Sequence, residues 1–288
     1  MPLFMAQLKG RLLLLTLALA AQGATGPAHA ENTLDRIKTR GKAVIGVLVA
    51  GGHFGSIDAS TGELKGFNPA LARAIAEKLG AQAELVQVVS SNRIQFLQQG
   101  RVDMLVADMD WTAERAQQLT FVPTPYYRTG GALLARKDSG ITKWEDLHGQ
   151  SVCVSQGSNY NKPLTETYGA VTKGFRSGSE SRLALRGGNC VAAVHDGNDV
   201  YRLIDEVDDW KDYTSPLPEL IPSPTVVWLR QGETATAKAV DEAVRALHQS
   251  GWIIKSEMDS GVTRANPALQ ELRDTLNQNK PLPHWAQR

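Results

Sequence analysis

The 288-residue sequence carries 31 basic and 30 acidic side chains, a formal net charge of +1, and 42% of its residues are hydrophobic. That apolar fraction is enough for a buried core, and the near-neutral balance argues against nonspecific nucleic-acid binding. No stretch reaches the roughly 20 apolar residues that a membrane-spanning helix needs.

At the start, Lys9 and Arg11 precede an apolar run over residues 12–21, and Ala28 and Ala30 bracket His29 in a small-residue cleavage pattern. This predicts a secretory signal peptide over residues 1–30, cleaved after Ala30, and a periplasmic mature chain. No cysteine stands at the cleavage point, so a lipid anchor is not indicated. Residues 1–30 hold two basic residues and no acid, which leaves 29 basic against 30 acidic side chains in the mature chain. Its roughly 258 residues suit one large domain or two smaller ones. Cys153 and Cys190 are the only cysteines. In an oxidising compartment they form one disulfide, or else remain two buried thiols, and neither has metal-ligand spacing.

Short apolar strands alternate with helices that have clear start and stop residues, the pattern of an α/β sheet. Residues 43–47 read as the first strand. Asn68 is placed to cap the next helix, Pro69 suits its first turn, Leu71, Ile75 and Leu79 share a face, and Gly80 ends it. Residues 83–88 alternate as a strand, residues 92–99 form a short helix closed by Gly100, and residues 102–107 read as a buried strand. The pattern then restarts after residues 126–131. A short helix over 143–147, a strand over 151–155 and a turn at Gly157, Ser158 and Asn159 open a second unit. Ser177 and Glu180 fit a capping box, Gly187 and Gly188 break that helix, and residues 191–194 read as another buried strand. The proline-rich stretch 216–224 reads as a crossover rather than an element. Residues 225–229 follow as a strand, then a helix over 234–250 with Val240, Val244 and Leu247 inward, and a last helix capped by Asn266 and Pro267.

Arg93 and Arg115 each follow a predicted strand, and two guanidinium forks beside one cleft suit a ligand that carries carboxylates. Around them lie short stretches whose order matters: Leu34-Asp35-Arg36-Ile37, residues 62–68, Asn92-Arg93-Ile94, Gly100-Arg101-Val102-Asp103, Thr112-Ala113-Glu114-Arg115, residues 136–140, and Ser155-Gln156-Gly157-Ser158. In these the chain resembles the periplasmic solute-binding proteins of ABC importers for polar amino acids. The resemblance implies a two-lobed α/β fold with the ligand in the interlobe cleft and two crossing segments. Lobe 1 is expected from residues 31–128 and 226–288, and lobe 2 from 129–225. It further implies an amino-acid ligand, an ABC permease in the inner membrane as partner, no cofactor, and a monomer.

By the same resemblance Arg115 clamps the α-carboxylate and Asp196 accepts from the ammonium group. A zwitterion taken out of water needs a charged partner at each end. Ser158 and Asn159 add N–H groups on the carboxylate side. Relatives that take glutamate or aspartate meet the side-chain carboxylate with an arginine placed like Arg93 and a serine placed like Ser90, so an acidic amino acid is the expected ligand. Asp108 and Asp110 stand where the family has serine, threonine or glycine. Either these side chains turn away from Arg115 and backbone N–H groups serve, or the ligand has another, cationic, head group. Phe54 matches the family phenylalanine, while the aromatic before it is missing from residues 51–53. Val191 replaces a common aspartate, as it does in some acidic-amino-acid binders.

Each residue also has a plainer reading. Arg93 could cap a helix, Arg115 could pair with Glu114 on the surface, and Asp196 could cap the helix after its strand. His195 beside Asp196 is read as structural, because neighbours on a strand point to opposite faces. His53 could touch ligand or be an ordinary loop histidine. Trp144, Trp210 and Trp228 read as packing residues, and Trp111 fits either role. The rival class is an enzyme, since the same fold carries cyclohexadienyl dehydratase activity and Asp108 or Asp110 could act as the acid. Against it, no nucleophile with a base, metal cluster or phosphate loop is legible. A solute sensor for a membrane receptor would use the same cleft.

Overall fold

A computed structural model describes residues 32–50, 52–262 and 265–287. The signal-peptide reading of residues 1–30 lies outside the described residues. The first helix, α1 (Thr33–Arg40), is capped by the Asn32 side chain accepting from the Asp35 N–H and stops at Gly41, whose φ of 66° suits glycine. Then follow β1 (Lys42–Leu48), a small hairpin of β2 (Ser56–Ile57) and β3 (Leu64–Lys65), α2 (Phe67–Lys78), β4 (Gln82–Val88), α3 (Arg93–Gln98), β5 (Met104–Val106), α4 (Ala113–Gln118) and β6 (Leu119–Phe121).

The chain next enters β7 (Tyr127–Arg136), β8 (Ser151–Ser155), α5 (Asn161–Glu166), β9 (Val171–Phe175), α6 (Gly178–Arg186), β10 (Ala192–Asp196), α7 (Gly197–Glu206), β11 (Tyr213–Thr214) and β12 (Leu220–Thr225). It returns through β13 (Trp228–Arg230), α8 (Thr234–Gln249), α9 (Trp252–Asp259) and α10 (Pro267–Asn277). Two sheets result. The first has the order β4-β1-β5-β13-β6, and the second β11-β7-β10-β8-β9, with β12 also paired to β7. In the first, β1 runs parallel to β4 and β5, whereas β13 is antiparallel to β5 and β6. In the second, β8 runs parallel to β9 and β10, and β7 is antiparallel to β10.

Each sheet has its own core. Ile45 and Val47 of β1 pack with Phe67, Leu71 and Ile75 of α2 and with Val240, Val244 and Leu247 of α8. Leu133, Val152, Val194 and Leu164 form a separate cluster on the second sheet. Two segments pass between the sheets: the start of β7, and β12 leading into β13. They lie side by side, with Thr225 opposite Tyr127 and Ser223 opposite Thr129.

Three sequence expectations change. Asn68 does not cap α2: the helix begins at Phe67, and Asn68 is buried within it. The first N–H groups are instead met by backbone, with Phe67 N–H donating to the His53 carbonyl and Asn68 N–H to that of Phe54, both at 2.9 Å. Gly66, at φ 111°, lets that loop approach, since a Cβ there would sit 2.6 Å from the His53 oxygen. The proline-rich stretch is not bare crossover, because residues 220–225 pair with β7. β7 is its one ladder partner; on the other side Thr225 bridges Asp110 and the Pro224 carbonyl accepts from the Trp111 N–H at 2.8 Å, so Pro224 is used there as an acceptor and its missing N–H is tolerated. The strand expected over 225–229 is divided between β12 and β13.

Cys153 and Cys190 form the disulfide, with Cα atoms 5.7 Å apart and a sequence separation of 37 residues. The chain-entropy model gives such a loop about 3 to 4 kcal/mol. A Cys153→Ala, Cys190→Ala double variant is expected to lower the unfolding free energy by that amount, read as a lower urea midpoint, and dithiothreitol is expected to do the same to the wild type alone. An unchanged midpoint in both would show that the bridge contributes nothing.

Candidate functional site

The site forms where strands of both sheets end, the place where open α/β sheets hold ligands. Beyond β1 lie Ala50 and Phe54, beyond β4 lies Ser90, and beyond β5 lie Asp108 and Asp110. From the second sheet, β8 leads to Gly157, Ser158 and Asn159, and β10 ends in Asp196.

Both arginines are buried, and their forks hold backbone carbonyls. Arg93 Nη1 donates to the carbonyls of Ala107 at 2.6 Å and Asp108 at 2.9 Å. Arg115 Nη1 donates to the Asp110 carbonyl at 2.6 Å, and its Nη2 reaches the other lobe at Gly157 O, 2.9 Å away. The difference matters: both Arg93 bonds stay within one lobe, but one Arg115 bond exists only while the lobes are together. Burial and the charge of Arg93 pull the Arg115 pKa down to about 10, still protonated at neutral pH.

Of the aspartates at the seam, Asp110 has the most side-chain partners. Its Oδ1 accepts from Thr225 Oγ1 at 2.9 Å, and its Oδ2 lies 3.2 Å from Asn159 Nδ2 and 3.3 Å from the Tyr160 hydroxyl. That hydroxyl is also 2.6 Å from Asp196 Oδ1. A phenol has one proton to give. When it goes to Asp196, the contact with Asp110 is complete only if Asp110 itself carries a proton. Burial, reinforced by Asp196, raises Asp110 to about 7 despite Arg115, and the same two causes raise Asp108 to about 7. Burial raises Asp196 as well. Asp108 adopts φ 45°, which aspartate tolerates better than most residues, and its N–H donates to the Tyr126 hydroxyl at 3.1 Å.

The sequence-predicted residues divide between two hollows. Phe54, Ser90, Asp108 and Asp196 line one interlobe cavity of about 40 Å³, whereas Arg115, Ser158 and Asn159 line a groove of about 720 Å³. Arg93 and Asp110 line neither; Asp110 is bonded to Asn159 of the groove and, through Tyr160, to Asp196 of the small cavity. The small cavity has room for only about three waters, less than an amino acid needs. The Ser158 N–H donates to the Ser155 carbonyl at 3.2 Å, and its Oγ accepts from the Tyr160 N–H at 3.2 Å. Phe54 packs edge-on against Phe67 and Tyr127, centroids 5.3 and 5.0 Å away. His195 is buried with Nε2 3.0 Å from Ser181 Oγ, and burial, with Arg182 nearby, lowers it to about 3. Burial leaves it neutral, and it lines the small cavity together with Asp196, where the strand position predicted the two to face apart.

Sequence reasoning missed Arg182, Asp199, Tyr160 and Thr225. Arg182 is buried, ion-paired to Asp199, and crosses the seam to donate to the Ala50 carbonyl at 2.9 Å. Ser179 Oγ donates to the same carbonyl at 2.9 Å. Only Tyr160 carried a signal, since it follows the Ser158-Asn159 turn directly.

This two-lobed architecture, with carboxylates and arginines gathered at the seam, is that of a solute-binding protein. The family model for bacterial extracellular solute-binding proteins, family 3, matches residues 44–257, and the chain belongs to that family. It is 29% identical to the glutamine-binding protein of an ABC transporter from Bacillus subtilis, over 83% of this chain and 89% of the relative. It is 26% identical to the L-glutamate/L-aspartate-binding protein of Pseudomonas aeruginosa, over 91% of this chain and 94% of that one. Among solved structures, the cysteine-binding protein of Campylobacter jejuni is 27% identical with a TM-score of 0.73, covering 80% of this chain and 93% of its own. The chain is an amino-acid-binding protein of the ABC-transporter type rather than an enzyme.

A carboxyl group raised in the folded chain keeps a proton that the unfolded chain releases near pH 4, so its stabilising effect is full below that pH and fades as pH rises through about 7. The thermal midpoint of the wild type is therefore expected to fall between pH 5 and pH 8. Asp108→Asn and Asp110→Asn should each flatten that slope. Identical slopes in all three proteins would mean that neither carboxyl is raised.

Proposed function

We propose that the chain, exported after removal of residues 1–30, captures a polar amino acid in the periplasm between lobe 1 (31–128 and 226–288) and lobe 2 (129–225) and presents it, as a monomer, to an ABC permease. The observation that carries this reading is the set of hydrogen bonds crossing the seam, from Arg115 to Gly157, from Asn159 and Tyr160 to Asp110, and from Ser179 and Arg182 to Ala50. Such bonds give closure a defined end point. A solute that replaces some of them shifts the open-to-closed balance by its differential affinity for the two forms.

Within the seam, Arg115 is the arginine that parting frees, because Gly157 leaves with the other lobe. A ligand carboxylate fits in that carbonyl's place, and Asp196 with Asp108 then faces the ammonium group. Arg93 supports a second carboxylate less well, since both its bonds belong to its own lobe and persist whether the cleft is open or shut. With Asp108 and Asp196 both lining the cavity, a neutral or basic side chain is matched better than an acidic one. The acidic-amino-acid reading rests on the closeness of Arg93 to Asp108 and requires Arg93 to leave the Ala107 and Asp108 carbonyls.

Thermal midpoints of the mature chain with each of the twenty L-amino acids separate these readings. A solute at 100 times its Kd adds about 2.7 kcal/mol, a rise of roughly 5 to 10 °C for a chain of this size. Arg115→Ala and Asp196→Asn are expected to abolish the rise. If glutamate or aspartate gives the largest rise and Arg93→Ala removes it selectively, the acidic reading stands. No rise with any amino acid would overturn capture by this seam.

A further inference from the structure

Ile221 occupies a backbone conformation that its side chain disfavours. Its φ is 41°, and among the described residues the other non-glycine residues at positive φ are Asp108 and Asn279. Aspartate and asparagine tolerate this region, whereas a β-branched side chain crowds its own backbone there. Pro222 follows directly, and its ring pushes the residue before it towards extended conformations. Burial does not offset the cost, because Ile221 is 40% exposed. A residue so placed persists only where its surroundings hold it.

Those surroundings are the two crossing segments. Leu220 pairs with Gly131 and Ser223 with Thr129, so β12 sets Ile221 and Pro222 opposite the single Gly130 of β7. This is a β-bulge, in which a left-handed residue is commonly glycine. Ser223 Oγ donates to the Ile221 carbonyl at 2.9 Å, and on β7 a Cβ at Gly130 would lie 2.8 Å from the Glu219 Cβ. On either side of the bulge the strands are fixed. The Arg128 carbonyl accepts from Asn266 Nδ2 at 2.8 Å, its guanidinium lies over the Trp285 ring, and Thr225 bonds to Asp110, which ties this end to the first sheet. At the other end Leu220 is buried in the core of the second sheet, and Gly131 pairs with Asp196 of β10. Thr129 and Gly130 on one segment, and Ile221 and Pro222 on the other, lie between these anchors. A parting of the lobes has to change backbone angles there. The Pro222 ring fixes its φ, so on β12 the change falls mainly on Ile221.

We propose that Ile221 sets the affinity of the protein from the joint between the lobes: its left-handed conformation belongs to the closed form and relaxes when the lobes part. The strain accompanies a shut seam, in which Arg115 reaches Gly157 and Arg182 reaches Ala50. This role rests on the opening and closing proposed above but on no particular solute. A penalty carried by the closed form alone weakens the binding of every solute by the same factor, without touching any of them.

Ile221→Gly and Ile221→Ala, compared with the wild type as mature chains, test it. The solute is the amino acid that gives the wild type its largest thermal rise, and Kd is read by calorimetry. Glycine adopts the left-handed region freely, so Ile221→Gly is expected to bind roughly tenfold more tightly. Alanine removes the branched side chain but keeps a Cβ at the same φ, so Ile221→Ala should tighten binding clearly less. Unchanged or weaker binding by Ile221→Gly overturns the proposal. Equal tightening in both variants overturns it as well, by tracing the effect to the side chain rather than to the backbone. Small-angle scattering without solute should show Ile221→Gly more compact than the wild type, and equal dimensions would place any change in Kd outside the balance of open and closed forms. Failure of solute capture itself is distinguishable, because the wild type would then bind none of the twenty amino acids.

Discussion

Everything at the seam depends on the need to satisfy one buried carboxylate. Asp110 sits at the end of β5 with almost no solvent, and an unpaired carboxylate in such a place costs several kcal/mol. Its partners come from three directions: Thr225 on a crossing strand, and Asn159 and Tyr160 on the opposite lobe. A group of this kind cannot be satisfied by its own lobe. The chain must therefore bring the lobes together, take up a proton, or let water or a solute in. Those are the choices a receptor has to balance, and in this protein they converge on one side chain.

The second sheet supports that arrangement by fixing what faces Asp110. The parallel pairing of β8 with β10, continued by the Cys153–Cys190 bridge, sets the turn after β8 beside the end of β10. Tyr160 consequently lies between Asp110 and Asp196, with its hydroxyl within hydrogen-bond distance of both. The first sheet does the same for the arginines, whose forks tie down the carbonyls of residues 107, 108 and 110 and so hold two aspartates at the cleft.

Much of the fold was legible because its signals are local. The 3.6-residue spacing of Leu71 and Ile75, the Ser177 cap and the apolar runs of β1 and β8 depend only on near neighbours. What was missed depends on distant partners. Asn68 has the chemistry of a cap, but the 53–54 loop reaches the helix end first, a contact that only the β2–β3 hairpin makes possible. The prolines at 222 and 224 suppress a strand prediction, yet with β7 as the one ladder partner their lacking N–H groups interrupt no second ladder. The site was half legible in the same sense. Arg115, Asp110 and Asp196 could be marked as belonging together from the resemblance of their motifs. That Arg93 would be committed to carbonyls, or that Arg182 and Ser179 would meet Ala50, depends on how the lobes face one another, and residue spacing does not encode that.

The prolines of β12 have one more consequence. A chain that is still folding shows its strand edges to other copies, and an exposed edge is a template on which a second chain can add. Pro222 and Pro224 deprive β12 of two donors that such a template needs. The segment that links the two sheets is thus also one on which aggregation is hard to nucleate.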